Sequence, residues 1–171
     1  MNLQSNDFEL FGLTQQFAQE RSTLDGRWKA LQAQAHPDKF AAQGAAAQRL
    51  AMQWSVRINE AYQRLKNPLQ RAAYLCELQG APIQAHSNTA MAPAFLVQQI
   101  EWREALDDAR SLVELEALAA SVDSTQSELL TLCAQALDDR QDYLAAVPLV
   151  RSLMFIEKFR HDLDARFDAL R

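Results

Sequence analysis

Three side chains in the stretch AHPDKFAAQG, residues 35–44, could do chemistry: His36 and Asp38, with Pro37 between them, and Lys39 directly after. A histidine and an aspartate two apart suggest an acid–base pair or two ligands of a metal ion. The proline keeps them off one helix face, because it disfavours helical backbone in the residue before it. A catalytic pair also needs a nucleophile or a second acid, and no GxSxG, Cys/His or paired-carboxylate arrangement accompanies this one. A metal site needs further ligands, yet His86 and His161 stand in a distant turn-rich segment and near the end of the chain. Cys76 and Cys133 are solitary, with no CxxC or Cys/His spacing, so two buried thiols and no zinc site are expected. No GxxxxGK[ST] phosphate loop occurs, and no cofactor is indicated. Taken alone, His-Pro-Asp also fits a plain helix-ending loop.

The flanking segments say how the tripeptide is held. Leu24, Trp28, Leu31 and Ala35 recur at three and four, which predicts a helix over about 22–35 with Arg27, Lys29, Gln32 and Gln34 in solvent. Leu50, Trp54, Ile58, Ala61, Tyr62 and Leu65 mark one face of a second helix, over about 45–66. A short polar connection favours antiparallel packing of the two, with His-Pro-Asp exposed at the tip. Phe8, Phe11, Leu13 and Phe17 begin the chain with a short aromatic helix or turn. Asn67-Pro68 breaks the second helix, and a further one over 69–78 ends at Gly80.

Residues 80–92 are uncharged and rich in turn formers, the composition of a linker. Beyond them, helical periodicity predicts helices over about 93–110, 112–138 and 141–171, an antiparallel three-helix bundle; Pro148 either kinks its last member or marks where the regular part of that helix begins. Phe95, Trp102, Leu106 and Ala109 project onto one face as core. Leu96, Val97 and Ile100 then point elsewhere, beside Glu101, Glu104 and Asp108. Leu149, Leu153, Ile156, Leu163 and Phe167 form the core stripe of the last helix, with Phe155 at its edge. The organisation is a domain over 1–79, a linker over 80–92 and a bundle over 93–171.

Composition agrees with an all-α chain: of 171 residues only four are glycine and five proline, too few for a hairpin-rich or βαβ fold. The charge is unevenly placed. Residues 1–79 hold nine Lys/Arg against seven Asp/Glu, while residues 93–171 hold eight against fifteen. The front half is drawn to acidic surfaces and the back half to basic ones. Neither is basic enough for nucleic acid. No basic leader followed by an apolar run and no membrane-length apolar stretch is present, so a soluble protein of a reducing cytoplasm is expected.

The order of these elements, closing on NEAYQRLKNPLQRAAYL at residues 59–75, resembles a J-domain over about half the chain. FELFGL at 8–13, HPDKF at 36–40, RAAYLCELQG at 71–80 and FLVQQIEWREAL at 95–106 extend the resemblance to the HscB family, J-type co-chaperones of iron–sulfur cluster assembly. The resemblance implies a protein that catalyses no covalent step itself and works between two partners. It assigns His36, Pro37, Asp38, Lys39, Arg27 and Lys29 to docking on the ATPase domain of a specialised heat-shock chaperone, of HscA type. Leu96, Val97, Ile100, Glu101, Glu104, Asp108 and Phe155 fall to binding the cluster scaffold protein, of IscU type. No cysteine-rich module precedes residue 8, which points to the bacterial form. J-domains usually carry a denser basic face than this helix, with its Ala33 and glutamines, and that departure implies weak, transient docking. The rival readings are a general J-domain co-chaperone for other clients, a helical hydrolase using His36 and Asp38, and a J-like module uncoupled from any chaperone.

Overall fold

Seven α-helices run through residues 2–84 and 91–171, the residues described by this computed structural model. They are α1 (Asp7–Phe11), α2 (Arg21–Ala35), α3 (Ala45–Lys66), α4 (Pro68–Leu78), α5 (Pro93–Asp108), α6 (Leu112–Ala134) and α7 (Tyr143–Leu170). A 3-10 turn, Pro37–Gln43, joins α2 to α3, and a single π-helical turn, Gln135–Asp139, extends α6. No strand occurs among the described residues. The chain divides into two units, Met1–Leu75 and Cys76–Arg171.

In the first unit α2 and α3 pair antiparallel through side chains that lock their register. Tyr62 Oη donates to Asp25 Oδ1 at 2.6 Å. The Trp28 ring stacks on Tyr62 at 4.8 Å, and its Nε1 donates to Asn59 Oδ1 at 3.0 Å. Gln32 Nε2 donates to the same oxygen at 2.7 Å. Gln32 is therefore a cross-helix staple, where periodicity alone places it in solvent. Leu24, Leu31, Ala35, Ala51, Ile58, Ala61 and Leu65 are buried, but Leu50, read as part of the same stripe, is 49% exposed. The cause is geometric: the Ala35 carbonyl at the end of α2 already lies opposite Ser55, so no helix remains to cover Leu50.

A buried carboxylate ties α1 to this pair. Asp7 is fully buried and accepts from Arg64 twice, at 2.6 Å through Nε and 3.0 Å through Nη2. Arg57 Nη1 lies 2.8 Å from Asp7 Oδ1, as a charge contact whose N–H is not aimed at the oxygen, while its Nη2 donates to the Ser5 carbonyl at 2.8 Å. The Asp7 backbone N–H donates to Tyr74 Oη, and the Arg64 guanidinium lies over the Tyr74 ring. The hydrogen bond from Arg64 to Asp7 holds the guanidinium above its usual pKa. Arg71, also buried, donates through Nε to the Phe17 carbonyl at 2.6 Å and through Nη1 to that of Leu65, pinning the segment between α1 and α2.

The unit boundary falls inside α4, a few residues before the expected end of the first domain. Gly80, at φ 74°, turns the chain after α4. Within the expected linker, Ala81 and Ile83 are 3% exposed, and Arg151 Nε donates to the Ile83 carbonyl at 2.7 Å. The rest of the expected linker, 85–90 with His86, lies outside the described residues.

The second unit is built around Phe95, Trp102 and Leu106 of α5, Leu115, Leu118 and Val122 of α6, and Ile156, Phe159 and Leu163 of α7. Trp102 stacks on Phe159 at 5.8 Å and donates through Nε1 to Ser121 Oγ. Arg160 of α7 pairs with Asp123 of α6. Leu149, expected in the core stripe, is only half-buried. Pro148 lies within α7, which runs through it. The proline withholds one N–H from the Leu144 carbonyl four residues back.

Both cysteines are buried and unpaired, as their solitary spacing predicts. Burial pushes the Cys76 thiol from 9.0 up to about 11 and Cys133 up to about 12. Each raised pKa favours the neutral thiol in the folded chain. That stability is whole below the ordinary thiol pKa and is lost as pH rises through the range from 9.0 to about 11 and about 12. At mildly alkaline pH both thiols are expected to resist a disulfide-exchange reagent in the native protein and to react fully once denatured. Rapid labelling of either in the folded state would contradict this.

Candidate functional sites on two helix surfaces

The first surface is the turn after α2. His36 ends α2 in an extended conformation, because Pro37 follows it, and then caps the 3-10 turn. Its Nδ1 accepts from the Asp38 backbone N–H at 3.2 Å, so in the neutral ring the proton sits on the outward Nε2. Asp38 Oδ2 is 3.6 Å from the same nitrogen, with the two side chains 57% and 93% exposed. The Lys39 N–H donates to the His36 carbonyl, and its side chain is exposed.

The side chains of His36 and Asp38 both stand open to solvent. Nothing shields the pair from water or orients a third group beside it, and no cluster of three metal-ligating side chains occurs among the described residues. Lys29 on α2 is exposed. Arg27 is exposed but not wholly available: its Nη1 donates to the Phe11 carbonyl at 3.3 Å, bracing the end of α1. There Gly12 is in the left-handed region, and a Cβ would meet that guanidinium at 2.8 Å. Arg21 is paired with Asp25. Beside the turn, a depression of about 340 Å³ is lined by Ala35, Phe40, Leu50 and Trp54 with Gln34 and Gln43. Sequence reasoning missed it by assigning Leu50 and Trp54 to the core stripe.

The second surface is the outer face of α5. Phe95, Trp102, Leu106 and Ala109 are buried, while Leu96, Val97 and Ile100 are 40%, 55% and 60% exposed. Glu101, Glu104 and Asp108 are exposed as well. Leu96, Ile100, Glu104 and Asp108 recur every four residues, making a ridge about 18 Å long that is apolar at its start and acidic at its end. Phe155 stands apart from these. It is half-buried, edge-on to Phe95 at 5.8 Å and stacked on Phe159 at 6.0 Å, so its ring is held chiefly by the core.

Known proteins resemble this chain over most of its length. A relative from Bordetella avium (strain 197N), described as "Co-chaperone protein HscB homolog", is 48% identical over 159 residues, covering 92% of this chain and 95% of its own. This chain belongs to the HscB family, J-type co-chaperones of iron–sulfur cluster assembly. An HscB homolog from Burkholderia thailandensis is 45% identical over 173 residues, covering 99% of this chain and 98% of its own. Residues 91–164 match the HSCB C-terminal oligomerisation domain. HscB from Vibrio cholerae superposes with a TM-score of 0.84 at 36% identity, over 98% of this chain and all of that one. Human HscB shares the fold, with a TM-score of 0.91 at 23% identity over 97% of this chain and 84% of its own. Like these HscB proteins, the chain is all-α, and none of its described helices is long and apolar enough to cross a membrane.

Proposed function

We propose that the protein is a two-site adaptor of the bacterial cytoplasm. Its first unit docks on the ATPase domain of an HscA-type heat-shock chaperone and stimulates ATP hydrolysis. Its second unit holds an IscU-type scaffold, so that hydrolysis closes the chaperone on the scaffold. His36, Pro37 and Asp38 are the contact group, preset by the proline ring, which lowers the ordering cost of binding. Lys29 and Lys39 steer the encounter, and Arg27 contributes what its bond to Phe11 leaves free. With so few free cations, docking is weak, transient and sensitive to salt.

The observation that carries the reading is the outer face of α5. Three apolar side chains lie open to water beside a run of carboxylates, a small binding patch with a charged rim. Leu96, Val97 and Ile100 bury against the scaffold, Glu101, Glu104 and Asp108 meet its basic groups, and Phe155 supports the patch from the core edge. Linking both sites on one chain raises the scaffold concentration at the chaperone.

The test is ATP hydrolysis by the chaperone with and without this protein, each with and without scaffold. Stimulation by the two together should exceed the sum of their separate effects, and simple additivity would defeat the reading. The paired change Leu96→Ala and Ile100→Ala should weaken scaffold binding by about 30-fold or more. It should leave the melting temperature within the small range of surface substitutions. Phe155→Ala is instead expected to cost about 3 kcal/mol of stability, since it opens the aromatic core. Unchanged scaffold affinity in a well-folded Leu96/Ile100 variant would remove α5 from the interface.

A further inference from the structure

The outer face of α3 carries a stripe that neither docking surface uses. Met52 and Val56, one turn apart, are 58% and 56% exposed. At about 100° per residue they project roughly opposite the buried Ala51, Ile58, Ala61 and Leu65. A shallow depression of about 330 Å³ lies among Met52, Gln53, Val56, Arg57 and Glu60. Arg49 stands one turn before the apolar pair and Glu60 one turn after it, both exposed. The stripe therefore reads cation, apolar, apolar, anion.

Turned end over end about its centre, this pattern matches itself. Met52 comes opposite the second copy's Val56, Arg49 comes within one residue of the second copy's Glu60, and the Gln53 amides meet near the axis. We propose that α3 pairs antiparallel with α3 of a second copy of this chain, in a two-fold contact where the same patch serves both sides. The depression receives an apolar side chain of the other copy, and the two end charges set the direction. A parallel pairing would put like charges together and is disfavoured. One helix per side covers less than the roughly 800 Å² per partner of a stable dimer, so the association is weak and reversible. It is expected at hundreds of micromolar rather than at a few.

Sedimentation velocity of the full chain tests this. The weight-average sedimentation coefficient should rise between about 10 and about 500 μM, and Val56→Glu should hold the chain monomeric throughout. Arg49→Glu alone should weaken association by about two- to fivefold, and adding Glu60→Arg to it should restore the native level. This reversal keeps the test decisive even if Val56→Glu fails to fold. The proposal falls if the native chain stays monomeric at the higher concentration, as it would if a different protein covered this face. It also falls if folded Val56→Glu associates like the native chain, or if the double reversal behaves no better than Arg49→Glu.

Discussion

Replacing Asp7 by alanine is expected to lower the stability of the first unit by about 3–5 kcal/mol, the range for removing one partner of a buried ion pair. The size follows from what is left behind. Arg64 and Arg57 both converge on the fully buried Asp7 carboxylate, and neither guanidinium forms an ion pair with a second carboxylate among the described residues, although Glu60 acts on Arg64 through space. Arg64 keeps its position over the Tyr74 ring, a contact too small to offset the lost charge partner. Asp7→Asn should be intermediate, because an amide still accepts a hydrogen bond while providing no charge. A urea titration should show the midpoint falling by about 2 M for the alanine variant. A midpoint shift no larger than that of an exposed control such as Gln15→Ala would mean that the cluster contributes nothing net. A triple change that also replaces Arg57 and Arg64 with methionine should recover part of the loss, because the charges would no longer be buried without a partner.

The second large effect is functional. His36→Gln is expected to abolish stimulation of the partner chaperone's ATPase, a loss of about 30-fold or more, while scaffold binding stays at its native level. Glutamine can still accept the Asp38 N–H, so the turn keeps its shape. What disappears is the ring and the outward Nε2 proton that Nδ1, engaged with Asp38, leaves for a partner. Because His36 and Asp38 are exposed, neither His36→Gln nor Asp38→Asn should change stability by more than about 0.5 kcal/mol. Single-turnover ATP hydrolysis and a melting curve together check this. Loss of both stimulation and scaffold binding would mean that the two tasks are not divided between the units. Native stimulation by His36→Gln would remove the turn from the interface.

Much of this protein is legible in its sequence because helices report locally. The three-and-four spacing of Leu24, Leu31 and Ala35, and that of Phe95, Trp102 and Leu106, marks buried faces with no knowledge of what buries them. Pro37 stops α2 by a steric rule acting between neighbours. Leu96, Val97 and Ile100 fall off the core face of α5 by the same arithmetic, and the structure leaves them exposed. The errors share one origin: periodicity says which residues share a face but not how far the covering element extends. Leu50 sits on the correct face of α3, yet α2 has ended before reaching it. Gln32 faces outward from its own stripe, yet meets Asn59 of a neighbouring helix.

By itself, then, the sequence determined the all-α architecture, the rigid exposed turn at His36, the solitary cysteines and membership of the HscB family. Only the tertiary structure decided which charges are free to act. Asp7, Arg57 and Arg64 look like ordinary surface residues in the chain, and Arg27 looks like part of a basic docking face. Their partners lie 16 to 57 residues away, beyond the reach of any local pattern. Whether a charged group steers a partner or braces a helix depends on what the fold brings within about 3 Å of it, and helix periodicity carries no information about that distance.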